Sequence, residues 1–191
     1  MAQIVTPSPA TATNKWTYER YLRETAEGEY FTIIAGEKIM SPSPTSTHQA
    51  IVINLTLLLQ NWILRTGEGK LRLAPFDVVL SDDEVVQPDF VFVLTEHLDR
   101  LTEKNLRGIP DLVIETLSPG STRLDRVKKR ALYARHSVPE YWIVSPGERT
   151  VEVLRLQGDN YELAGLYEEG DALQSPLLIG FTGAVEDIFK D

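Results

Sequence analysis

Two acids stand against apolar runs in this chain. Gln87-Pro88-Asp89-Phe90-Val91-Phe92-Val93 puts a carboxylate at the mouth of one, and Asp111-Leu112-Val113-Ile114-Glu115 puts another at the far end of a second. A carboxylate drawn into a buried strand is costly unless it is paired or coordinates a metal. Either acid alone reads as a salt-bridge partner or cap just outside the buried stretch; two together on hydrophobic strands favour a shared cation. Asp111 is a rival ligand, because it follows a proline and shares a strand face with Glu115. Four residues along one strand span roughly 13 Å, however, and bonds near 2 Å cannot bridge that gap. The partner of Glu115 must come from another strand, and Asp89 is the best candidate. The chain has no cysteine, so any metal rests on oxygen donors or histidines, which points to Mg²⁺ or Mn²⁺.

A cation of the protein's own is offered by the segment Thr122 to Arg135, read as a helix capped by Ser121 or Thr122, with Asp125 in its first turn. Leu124, Val127, Ala131 and Ala134 form its apolar stripe, while Asp125, Lys129 and Tyr133 recur at four-residue spacing on a flank. Lys129 is either an ordinary i,i+4 partner of Asp125 or a fixed ammonium aimed at a phosphate. Periodicity does not choose between Lys128 and Lys129, and Lys128 lies nearer the stripe.

The elements that would position these groups follow from patterning. Trp16 to Thr25 reads as a short helix, and Tyr30 to Met40 as two strands around a turn at Ala35-Gly36. His48 to Arg65 is a helix apolar around most of its circumference, hence mainly buried, ended by Gly67 to Gly69. Leu71 to Leu80 and Val85 to Leu94 read as strands joined by a turn at 81–84. Asp111 to Leu117 reads as a central strand, and Val138 to Val144 as another. Thr150 to Leu156 and Tyr161 to Tyr167 read as antiparallel strands closing one edge, before a short helix near Val185. Trp62 and Trp142 fall in apolar periodicity and read as core. The expectation is one α/β domain over residues 15–191, with a mixed central sheet flanked by helices and extra antiparallel strands at the C-terminus. Residues 1–14, rich in Ala, Thr, Ser and Pro, read as a disordered leader.

The formal charge of −9 argues against a broad nucleic-acid surface, which carries basic excess. The charge is unevenly spread: Glu148 to Asp191 holds ten acids against three bases, and Arg123 to Arg135 holds six bases against Asp125 alone. An acidic body with one basic helix can still meet a phosphate locally. No secretory or membrane-spanning segment is visible, so the expected location is cytoplasmic.

Five segments, in order, resemble the Uma-type family of restriction-endonuclease-like nucleases of the PD-(D/E)XK superfamily. They are Gly36-Glu37-Lys38-Ile39-Met40 with Ser41-Pro42 and His48; Gln87-Pro88-Asp89; Pro110-Asp111 through Glu115 to Ser118-Pro119; Asp125 through Lys129 to Tyr133; and Val138-Pro139-Glu140-Tyr141-Trp142-Ile143-Val144. The resemblance implies a restriction-endonuclease-like core and a magnesium-type site with Asp89 and Glu115 as metal carboxylates. The superfamily lysine lies two residues after the glutamate, where this chain has Leu117; the lysine matching the family pattern is Lys129. Glu37 and His48 also match family positions, one completing the acidic pocket, the other contacting phosphate or water. Two positions depart from the pattern, Ala35 and Ser145, where the family often has acids. The function expected is metal-dependent phosphodiester hydrolysis, in DNA, with the Thr116 carbonyl as a further metal ligand and a homodimer suited to cutting both strands. The alternatives are an inactive nuclease-fold module that binds DNA or a protein partner, and a metal-free hydrolase using Glu37 and Glu115.

Overall fold

The computed structural model describes residues 15–190 apart from 27, 41, 42 and 119. The leader expected at 1–14, like Ser41, Pro42 and Pro119, lies outside the described residues. The described chain runs α1 (Tyr18–Glu24), β1 (Phe31–Ile34), β2 (Glu37–Met40), α2 (Ser46–Thr66), β3 (Lys70–Leu73), β4 (Asp77–Ser81), β5 (Glu84–Val86), β6 (Phe90–Val93), a 3₁₀ turn (Thr95–Arg100), β7 (Asn105–Arg107) and β8 (Leu112–Thr116). It continues with a π-helical stretch (Leu124–Lys129), α3 (Arg130–Arg135), β9 (Glu140–Ser145), β10 (Thr150–Gln157), β11 (Asn160–Tyr167), β12 (Ala172–Gln174), β13 (Thr182–Ala184) and α4 (Val185–Ile188).

The main sheet has the order β11-β10-β9-β8-β6-β3. Its central pair β8/β9 is parallel and its other pairs are antiparallel, which makes it the mixed sheet expected, with the C-terminal strands on one edge. Both faces of its central strands are covered, so they read as continuous apolar runs rather than alternating ones. On one face Phe90, Phe92, Leu112, Ile114 and Trp142 pack against Ile51, Leu55, Leu59 and Trp62 of α2. On the other, Val91, Val93, Val113 and Ile143 meet Leu132 and Tyr133 of α3, together with Val78, Val86 and Leu106. Helix α2 starts where Thr45 accepts a hydrogen bond from the His48 amide and stops at Gly67, whose φ of 74° no side-chain-bearing residue adopts cheaply.

Two expected strands are each broken. Leu71 to Leu80 splits at Ala74-Pro75 into β3 and β4, and Val85 to Leu94 splits at Gln87-Pro88-Asp89 into β5 and β6. Proline cannot donate to a strand ladder, and at both breaks the chain leaves one sheet for another: β4 and β5 belong to a second sheet, β2-β1-β5-β4-β7. The helix at 122–135 also differs from expectation. Val127 is 59% exposed and Ala131 is exposed, whereas Asp125, Lys129, Leu132 and Tyr133 are buried. The Arg130 amide bonds back to the Asp125 carbonyl, five residues earlier. This wider turn rotates the polar flank onto the sheet and Val127 and Ala131 of the expected stripe toward solvent, while Ala134 stays in the core.

The α2 interface should dominate stability. Leu55→Ala, at a fully buried position, is expected to cost about 2–5 kcal/mol, whereas Leu57→Ala on the same helix, at a position 58% exposed, should stay within about 0.5 kcal/mol. Urea denaturation of the two variants checks the pair; equal losses would contradict this packing.

Candidate active site

Asp89 precedes β6 by one residue. The β6/β8 register pairs Phe90 with Ile114 and Val91 with Val113, so one step further brings Asp89 opposite Glu115. Side chains alternate along a strand; Asp89 therefore shares a face with Val91 and Val93, and Glu115 shares that same face with Val113. The contacts agree: Asp89 Oδ2 accepts the Thr116 amide at 2.7 Å, and both acids line one cleft of about 1090 Å³.

Each acid is held by specific partners. His48 Nε2, on the first turn of α2, lies 3.0 Å from Asp89 Oδ2. Lys129 Nζ and the Tyr133 hydroxyl both donate to Glu115 Oε1, at 2.8 and 2.7 Å. Lys129 Nζ also lies 3.1 Å from Asp125 Oδ1. Among the described residues, Asp89 Oδ1 and Glu115 Oε2 take no hydrogen bond. Glu115, Asp125 and Lys129 are all buried.

Three carboxylates thus face one ammonium in a site of low polarity. Burial, helped by Asp125 and Asp89, pushes the Glu115 carboxyl up to about 8 against the pull of Lys129. Burial opposes the charged form of Lys129, but Glu115 and Asp125 outweigh it and raise its pKa. The ammonium is therefore the firmer charge of the two, having a second carboxylate in Asp125. Burial, followed by Glu115, raises the Tyr133 phenol, which stays a donor. The hydrogen bond to Asp89 raises the His48 imidazole.

This donor set suits a hard divalent cation. Four buried side-chain polar atoms among the described residues lack a hydrogen-bond partner, and three of them belong to cleft residues: His48 Nδ1, Thr116 Oγ1 and Asp125 Oδ1, the last paired by charge alone. Among the described residues no group of three or more His, Asp or Glu is placed to hold a metal ion. An ion held here would rest on Asp89 and Glu115 and complete its shell with backbone oxygen and water, as Mg²⁺ usually does.

Of the residues singled out in the sequence, Asp89, Glu115, Thr116, Lys129 and His48 come together. Glu37 does not: it lies exposed at the start of β2 and is not among the residues lining the cleft. That separation also parts the Glu37/Glu115 pair of a metal-free hydrolase. Asp111 sits at the other end of β8, accepting from the Leu94 amide and from His97 Nδ1, both at 2.8 Å, and is structural. Lys128 is exposed, which leaves Lys129 as the site lysine. Sequence reasoning missed the place of Asp125 and Tyr133 in the site, although their four-residue spacing with Lys129 was its signal.

Residues 17–186 match the model of the Uma2 family, described as "Putative restriction endonuclease". The chain belongs to the Uma2 family. An uncharacterized protein of Synechocystis sp., slr1290, is 26% identical to it over 196 residues, with 98% of each chain covered. The crystal structure of a "putative nuclease belonging to DUF820" from Anabaena variabilis matches with a TM-score of 0.75 at 21% identity, over 91% of this chain and 97% of that one. The likeness carries the fold, a restriction-endonuclease-like core in a mixed α/β architecture. In this Uma2 chain Leu117, two residues after Glu115, is buried among apolar side chains, and among the described residues the only lysine lining the cleft comes from the helical segment.

The raised Glu115 carboxyl has a sign that can be measured. Its folded-state pKa near 8 lies above the ordinary 4.5, so the folded protein keeps a proton that the unfolded chain loses between those values. Stability contributed by protonated Glu115 is complete below 4.5 and lost as pH rises through about 8. Glu115→Gln removes that loss. Without divalent ions, the melting temperature of the variant minus that of the wild type should grow from pH 5 to pH 8 and then level off. A difference that stays flat would contradict the burial of this charge.

Proposed function

We propose that this protein is a metal-dependent nuclease that hydrolyses phosphodiester bonds in DNA. The observation that carries this reading is the convergence of Asp89 and Glu115, from two strands, on one cleft beside the Lys129 ammonium. Asp89 and Glu115, with the carbonyl of Thr116, would hold one or two Mg²⁺ or Mn²⁺ ions. When bound, such an ion polarises a phosphate and makes a water acidic enough to attack it.

The chain's own groups do the rest. The hydrogen bonds from His48 and the Thr116 amide fix the rotamer of Asp89, leaving its second oxygen for a ligand. Tyr133 and Lys129 fix Glu115 in the same way. Lys129 keeps its charge because Asp125 remains a partner when Glu115 turns to other work, so it can orient an attacking water and stabilise charge developing on the phosphate. His48, whose Nε2 lies 3.0 Å from Asp89 Oδ2, would contact a phosphate or its water beside that acid.

The chain's charge of −9 favours a second reading, an inactive nuclease-fold module that binds DNA or a protein partner. Cleavage assays separate the two. Asp89→Ala and Glu115→Ala should each lower Mn²⁺-dependent cleavage at least about a hundredfold while the fold persists by circular dichroism, and a chelator should stop the wild type. Full metal-dependent activity in either variant would overturn the site; no cleavage of any nucleic acid by the wild type would leave the binding module.

A further inference from the structure

Away from the carboxylates, the cleft changes chemistry. Tyr30, Met40, Pro44, Ile53 and Pro75 line it, and Tyr30, Met40 and Ile53 are 49%, 57% and 60% exposed. These side chains come from the entry to β1, the end of β2, the start of α2 and the loop between β3 and β4. Large apolar groups from four segments, gathered on a concave surface and left open to water, mark a binding face.

The charge of the cleft is equally specific. Glu29, Asp89, Glu115 and Asp125 line it, and among the described residues its basic ones are His48 and Lys129, which bond to Asp89 and to Glu115 and Asp125. The other bases of the basic helix are not among the residues lining the cleft, although Arg123 and Lys128 are exposed beside it in sequence. Arg126 bonds Glu152 and Glu148, Arg130 donates to the Tyr161 carbonyl, and Arg135 bonds Glu84, all acceptors outside the cleft. Duplex DNA is gripped mainly through phosphates, by many lysines and arginines, and it presents base edges rather than ring faces. An unpaired nucleotide presents its ring faces, which pack on aromatic and apolar side chains.

We infer that the cleft engages single-stranded or locally unpaired nucleic acid, with bases packed on Tyr30, Met40 and Ile53 while the backbone reaches Asp89 and Glu115. The bases, rather than the phosphates, supply most of the affinity. Placing the backbone at the carboxylates rests on the nuclease reading; the apolar wall does not.

Fluorescence anisotropy with Glu115→Gln in Mg²⁺ tests this. The probe is a labelled mixed-sequence DNA strand of about twelve nucleotides, within the usual range of single-strand sites, compared with its duplex. The single strand should bind at least about tenfold more tightly than the duplex. Its affinity should fall only about threefold from 50 to 200 mM salt, as one neutralised phosphate predicts. Adding Tyr30→Ala should cost about tenfold or more in single-strand affinity, and Tyr30→Phe should restore it. Equal or tighter duplex binding, a loss of a hundredfold or more with salt, or an unchanged Tyr30→Ala each overturns the inference. Single-strand binding without cleavage by the wild type sinks the nuclease reading and spares this one; cleavage confined to duplexes does the reverse.

Discussion

Lys129 carries an ammonium into a site nearly closed to water, and Glu115 and Asp125 hold it there at 2.8 and 3.1 Å. A buried ammonium is tolerable only with such partners, and the partners are in turn tolerable only with it. Asp89 stands a step away, so three carboxyls share one lysine and the His48–Asp89 bond, and burial keeps Glu115 protonated up to about pH 8. The geometry around the cleft answers this crowding of acids: Tyr133 and the Thr116 amide donate to them, and the helix widens into a π turn that keeps Asp125 and Lys129 inward. A divalent cation between Asp89 and Glu115 would favour the ionised form of Glu115, which burial alone disfavours.

The sheet makes this affordable. Asp89, one residue before β6, and Glu115, within β8, are brought together by the register of two strands covered on both faces. Their separation is therefore as rigid as the core. The more open wall of Tyr30, Met40 and Ile53 comes from the β1/β2 hairpin and one end of α2, so one cleft joins a stiff reactive floor to an apolar side.

Much of this was legible from residue order. Distance along one strand was enough to set Asp111 aside, because a spacing of four residues is too long for one ion, and it left Asp89 as the best candidate partner of Glu115 from another strand. The C-terminal edge strands and α2 followed from plain periodicity. The second sheet was hidden, since Pro75 and Pro88 interrupt runs whose apolar character continues through them, and only tertiary pairing shows that the chain changes sheets there. The burial of Asp125 and Lys129 was hidden for a related reason: a helix of 3.6 residues per turn points Val127 inward, and the π turn that reverses this has no signature in local composition. Glu37 matched a family position by its place in the sequence, yet nothing in its hairpin turns it toward the cleft.

The central claim is that Asp89 and Glu115 jointly hold one divalent cation. A crystal soaked in Mn²⁺ and measured for anomalous scattering tests it most directly. The account predicts a peak bonded to both carboxylates at about 2 Å, with Lys129 still on Asp125. Saturating Mn²⁺ with no peak between these two acids, or with its only peak elsewhere on the acidic surface, would contradict it.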